Sequence, residues 1–123
     1  VDGTVQDARD WRRLGDYCID NGYVNLQRDS DGLFRTSVRA AAATGDPRQV
    51  VVWQDHNFTQ VHVFSTPLYP QVGAVIGDGN AQHGITVEPV TAGPDAFNTG
   101  VDLIWLSPEQ PWQARWGVQL LNW

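Results

Sequence analysis

The fold turns on one stretch: Gln49-Val50-Val51-Val52-Trp53-Gln54-Asp55-His56-Asn57-Phe58-Thr59-Gln60-Val61-His62-Val63-Phe64. Gln49 to Gln54 is an apolar, β-branched run too short for a helix, so it predicts a strand. His56-Asn57-Phe58 predicts a bend, and Thr59 to Phe64 predicts a second strand. Upstream, Tyr23 to Arg28 and Leu33 to Arg39 flank Asp29-Ser30-Asp31-Gly32, whose Asp-Gly pair favours a tight hairpin. Ala40 to Ala43 extends a strand or forms a helical turn, and Thr44-Gly45-Asp46-Pro47 ends it.

Downstream, Pro67 and Pro70 bracket a kink before a strand at Val72 to Ile76, and Gly77-Asp78-Gly79-Asn80 reads as a loop. Gly84 to Val90 predicts a strand, Ala92 to Pro94 a turn, and Val101 to Leu106 another strand. Ser107 to Pro111 is a Pro-flanked loop, and Gln113 to Leu121 is the last strand. At the other end, Thr4-Val5-Gln6-Asp7 resembles a capping box with Asp in place of Glu. It predicts a short helix from about Thr4 to Leu14, with Val5, Ala8 and Trp11 on one stripe, broken at Gly15. Eight or so short strands at regular spacing predict an all-β fold, an antiparallel β-sandwich or small barrel with a short N-terminal helix. The expected organisation is a single β domain over 1–123, its first fifteen residues helical.

Composition agrees. Every basic residue is Arg, acidic residues are Asp except for Glu88 and Glu109, and Met is absent, so strong helix formers are scarce. A net charge of −6 with dispersed Arg excludes a nucleic-acid surface, which needs clustered positive charge. No stretch reaches the roughly 18 apolar residues of a membrane span, and no signal peptide is evident. The lack of any Met suggests a processed form or a piece of a longer chain. The single cysteine, Cys18, excludes an internal disulfide and is expected to be a small buried hydrophobe.

Catalytic and metal chemistry find little support, and no cofactor is called for. Asp29-Ser30-Asp31-Gly32 faintly resembles a calcium loop, but Gln27 and Val38 stand where further carboxylates belong. His56 and His62 on one uninterrupted strand would lie some 20 Å apart, at about 3.3 Å per residue, too far to share a metal. Asp55, Glu88 and Asp102 lie in or beside apolar strands, where burial could raise a carboxyl pKa. No nucleophile elbow or phosphate-binding Gly loop accompanies them. The residues therefore favour a non-catalytic binding module over an enzyme.

Six tryptophans are more than one small core needs, and Trp105, Trp112, Trp116 and Trp123 crowd the C-terminal end. Surplus indoles serve as flat platforms for ligands or as anchors at interfaces. A pyranose stacks its apolar face on such a ring and offers hydroxyls to planar polar groups. Trp105 and Trp112 flank Leu106-Ser107-Pro108-Glu109-Gln110-Pro111, so a hairpin there would bring both indoles to one sheet edge. Glu109, Gln110 and Gln113 would supply hydrogen-bonding groups. The alternative for Trp105 is the core, since Leu103 shares its face.

Several passages of the C-terminal half resemble the H-type lectin domain. Val61-His62-Val63-Phe64 followed by Thr66-Pro67-Leu68-Tyr69-Pro70-Gln71-Val72 is similar to that family's strand and proline-rich passage. Ile85-Thr86-Val87-Glu88-Pro89-Val90-Thr91 with Phe97 resembles its strand and turn. Leu103-Ile104-Trp105 resembles the strand closing on a stacking Trp, and Ala114-Arg115-Trp116-Gly117-Val118 resembles the final strand. The resemblance implies a trimeric antiparallel sandwich that binds N-acetylgalactosamine-type sugars, with Trp105 as the stacking aromatic and Trp112 one position beyond the next. The family's middle-strand Arg has no counterpart between Gly84 and Val87. Phage tail-fibre tips share a similar closing pattern.

These readings lead to a carbohydrate-binding, lectin-like or adhesin module, a homo-oligomer, placed extracellularly or on a virion surface. A second reading is a structural or assembly domain of a larger particle or secreted complex. A third is a small hydrolase or isomerase with Asp55, His56 or Asp102 in a pocket.

Overall fold

The computed structural model describes residues 7–14, 18–40, 45, 47–70 and 81–122. The fold is all-β, as its residue pattern predicts. The described strands are β1 (Asp20–Tyr23), β2 (Phe34–Arg39), β3 (Gln49–Gln54), β4 (Gln60–Pro70), β5 (Ala81–Val90) and β6 (Trp116–Leu121), with one short helix, α1 (Ala96–Thr99). They form two three-stranded sheets, β1-β4-β5 and β2-β3-β6. The chain divides into two compact units, 1–22 with 62–88 and 23–61 with 89–123.

The first unit holds most of the β1-β4-β5 sheet. Ile19, Val63 and Ser65 are buried there. Ser65 N–H donates to the Ile19 carbonyl at 2.8 Å, and its hydroxyl accepts from Ile19 N–H at the same distance. Burying a serine costs free energy unless both its groups are bonded, and Ile19 satisfies them. The expected Pro67–Pro70 kink does not end the strand: β4 continues through Pro67 to Pro70. Ser65 turns its N–H toward Ile19, just before β1. The strand expected at Val72 to Ile76 and the Gly77 to Asn80 loop lie outside the described residues.

Also in this unit, residues 7–14 are not helical. Asp7, the expected capping-box acid, accepts from Arg9 N–H at 3.3 Å and from the Arg9 guanidinium at 2.9 and 2.6 Å. Such a local side-chain turn competes with helix, and residues two apart do not face each other on a helix. The rest of the expected helix, residues 4–6, lies outside the described residues. Cys18 is exposed rather than buried.

The second unit is organised by the antiparallel β2-β3-β6 sheet, with β3 in the centre. Val51 and Val52, adjacent and therefore on opposite faces, are both buried. That explains why β3 is apolar at four consecutive positions, Val50 to Trp53, rather than alternating. Trp53 stands directly opposite Gly117. A Cβ on Gly117 would lie 2.6 Å from the Trp53 ring, so the glycine is the space that the indole fills.

The Asp29–Gly32 turn forms, with Gly32 at φ 80° and its N–H bonded to the Asp29 carbonyl at 2.9 Å. The expected hairpin does not. Tyr23 to Arg28 is not a strand; the strand ends at Tyr23, and Asn25 sits at φ 56° in the left-handed region, which strands exclude. β2 pairs with β3 instead. A second expected strand, Val101 to Leu106, fails for the same reason: Asp102 has φ 58°. Helix α1 is a single turn entered through Asp95 at φ 67° and closed by Gly100 at φ 73°, whose N–H bonds the Ala96 carbonyl.

Candidate functional site

The turn after β3 places the segment that carries the candidate residues. Gln54 is fully buried, and its amide donates to the Gln60 carbonyl at 2.9 Å and the Phe58 carbonyl at 3.3 Å. Asp55 then bonds the chain just before β6 twice. Its N–H donates to the Arg115 carbonyl at 2.9 Å, and its Oδ2 accepts from Arg115 N–H at 2.7 Å. Its Oδ1 accepts from Asn57 N–H at 3.0 Å, which fixes the turn. Asn57 Nδ2 donates to the Gln113 carbonyl. Arg28 closes the group from the other side, donating to the Asp55 and Phe58 carbonyls at 3.0 and 2.9 Å. Positions 113 and 115 are thus held outside any regular strand.

From this anchored point the chain presents the expected site residues. Trp105 is 84% exposed and Trp112 is 41% exposed. Glu109, Gln110 and Gln113 are exposed as well. The segment between the two indoles turns through Ser107 to Gln110, closed by a Gln110 N–H to Ser107 carbonyl bond at 3.1 Å. Trp105 is therefore not a core residue. The hairpin expected to align the two rings is absent, because neither Trp105 nor Trp112 lies in a strand. The Asp55 and Asn57 bonds to Arg115 and Gln113, rather than a ladder, hold the chain beside Trp112. Trp123 lies outside the described residues.

Most of the groups considered for other chemistry are bonded within the fold. Asp29 and Asp31 both pair with Arg35, each at 2.5 Å. The Arg35 guanidinium, aided by the Leu33 N–H, holds the Asp31 carboxyl down at about 2. His62 bonds Asp20 at 2.9 Å, while His56 is exposed on its turn. Asp55 spends both oxygens on backbone N–H groups, and exposed Asp102 accepts from the Gln60 amide at 3.1 Å. Among the described residues no group of three or more His, Cys, Asp or Glu could hold a metal ion. No described helix is long and apolar enough to cross a membrane.

Two features of this region carry no sequence signal that separates them from ordinary turn and strand chemistry. One is the Asn57 bond to Gln113. The other is the exposure of a whole row of β6, Trp116, Val118 and Leu120.

No protein-family model, curated protein or solved structure matches this chain.

Proposed function

We propose that this chain is a non-catalytic carbohydrate-binding module, lectin-like or adhesin-like, with Trp105 and Trp112 as stacking platforms. The observation that carries the reading is the 84% exposure of Trp105 beside a polar turn. An indole left in water forfeits roughly 2–3 kcal/mol of burial free energy, a cost that a stacking ligand recovers. Glu109, Gln110 and Gln113 offer acceptors and donors for sugar hydroxyls next to these rings. A shallow site of this kind binds weakly, so the expected assembly is a homo-oligomer that gains strength by multivalency. An extracellular or virion-surface setting is where such a module would meet glycans. The likeness of Ala114 to Val118 to the final strand of the H-type lectin pattern points the same way, whereas Leu103-Ile104-Trp105, likened to a strand of that family, is not in a strand here.

A glycan array tests the proposal. The wild-type chain should bind a defined subset of glycans, and Trp105→Ala and Trp112→Ala should each lose that signal with the melting temperature nearly unchanged. Retained binding in both variants, or no glycan signal from the wild type, refutes it.

The second reading, a structural or assembly domain, draws on a different observation. Phe97 is 94% exposed on α1, and the β6 row is more than half exposed. Exposed apolar surface of this kind marks interfaces with other chains.

A further inference from the structure

Strand β6 is an edge of its sheet: its bonded neighbour is β3, and among the described residues no strand lies on its other side. The outward-turned backbone groups can be assigned. Asp55 and Arg115, the next pair in the β3–β6 register, share one main-chain bond, Asp55 N–H to the Arg115 carbonyl. In an antiparallel ladder such pairs alternate, so Gly117, Gln119 and Leu121 turn their N–H and C=O groups toward β3. Trp116, Val118 and Leu120 turn theirs toward the open edge.

The same three residues carry the exposed apolar side chains, at 57%, 55% and 56%. Spaced by two, they share one face of the strand. Natural proteins guard an edge with Lys, Pro, a bulge or an inward charge, because an open edge templates pairing with another chain. The run Trp116-Gly117-Val118-Gln119-Leu120-Leu121 has no charge and no Pro.

We infer that β6 is a homodimer seam, pairing antiparallel with β6 of a second copy across a twofold axis through Val118. The register selects the partner. A twofold perpendicular to the sheet keeps each residue on its own face, so only positions an even number apart can oppose each other. Centred on Val118, it sets Val118 against Val118, and Trp116 against Leu120 in both directions. Every outward N–H of these three residues then meets an outward C=O. Their side chains form one continuous apolar band across the joined sheets. The strand carries no charge, so two copies of a chain whose net charge is −6 can meet along it without like charges facing each other.

The area sets the strength. The three side chains expose roughly 250 Å² per copy, about 500 Å² across the seam before the backbone is counted. Interfaces below about 1,200 Å² are weak or transient. The dimer is accordingly reversible, with dissociation in the micromolar range or above. The inference rests on β6 alone and is independent of the carbohydrate reading.

Sedimentation equilibrium over a concentration series to about 1 mM, with far-ultraviolet circular dichroism on each variant, tests it. The wild type should pass reversibly from monomer to dimer. Val118→Pro should keep the strand spectrum, because this residue's N–H is not used by β3, while raising the dimer dissociation constant roughly 30-fold through two lost hydrogen bonds. Val118→Lys and Val118→Asp should each be monomeric alone, since like charges meet at the axis, and should form a one-to-one heterodimer when mixed. A wild type that stays monomeric throughout overturns the inference. So does a folded Val118→Pro chain that dimerises as the wild type does, or a mixture of the two charged variants that gains no heterodimer.

Discussion

Asp55 and Arg115 hold each other through both main chain and side chain: the Asp55 N–H donates to the Arg115 carbonyl, and the Asp55 carboxylate accepts the Arg115 N–H. That double bond ties the end of β3 to the approach of β6. Two residues further on in the turn, the Asn57 side-chain amide donates a single bond to the Gln113 carbonyl. The segment carrying Trp112 owes its position to this turn.

Asp55→Ala should cost about 2 kcal/mol by urea denaturation, because two backbone N–H groups lose a charged acceptor. Asp55→Asn should recover part of that loss, since the amide oxygen still accepts a bond. Equal stability of wild type and Asp55→Ala would show that the clamp contributes nothing.

The two tightly approached glycines should respond differently to Ala. At Gly84 the new Cβ would lie 2.7 Å from the Cβ of Tyr69, which ring rotation cannot relieve, so strand β4 or β5 must move. At Gly117 the conflict is with the far edge of the Trp53 indole, which can tilt. Gly84→Ala should cost about 2–3 kcal/mol and Gly117→Ala about 1 kcal/mol by the same denaturation. Gly117→Ala should also change Trp53 fluorescence. The reverse order of costs would contradict this packing.

The Asp31 carboxyl should titrate near 2 by NMR, with Arg35→Gln returning it toward 3.8. The sign follows from the depressed value. A carboxyl whose folded pKa lies below its unfolded one stabilises the fold above about 3.8, and that contribution disappears as pH falls toward about 2. The pair lies at the surface, so salt should weaken the effect. A titration midpoint unchanged by Arg35→Gln would remove the ion pair from the account.

The strands legible in the sequence were those whose chemistry is unambiguous. Gln49 to Gln54 became β3 with the expected bounds, and Leu33 to Arg39 and Gly84 to Val90 fell within a residue or a few of β2 and β5. The misplaced ones share a physical cause. Asn25 and Asp102 each adopt a left-handed conformation, which ends the extended chain at Tyr23 and keeps Val101 to Leu106 out of any strand. Asn and Asp tolerate that region better than other side chains, yet most of them never enter it, so residue type alone could not flag the break. The Asp29–Gly32 turn was legible but its partner was not, because a turn fixes local direction while strand pairing is decided by distant residues. Of the candidate site, the sequence left Trp105 open between a platform and the core, and the structure exposes both Trp105 and Trp112. The hairpin meant to support them is absent, and the clamp beside Trp112 depends on residues 56 and 60 positions apart in sequence.

The most direct test observes the indole N–H signals of the folded chain by NMR while a glycan selected on the array is added. With carbohydrate stacking at the candidate site, the Trp105 and Trp112 signals shift together and saturably, and those of Trp53 and Trp116 stay in place. Shifts confined to other tryptophans, or none with any glycan, would contradict it.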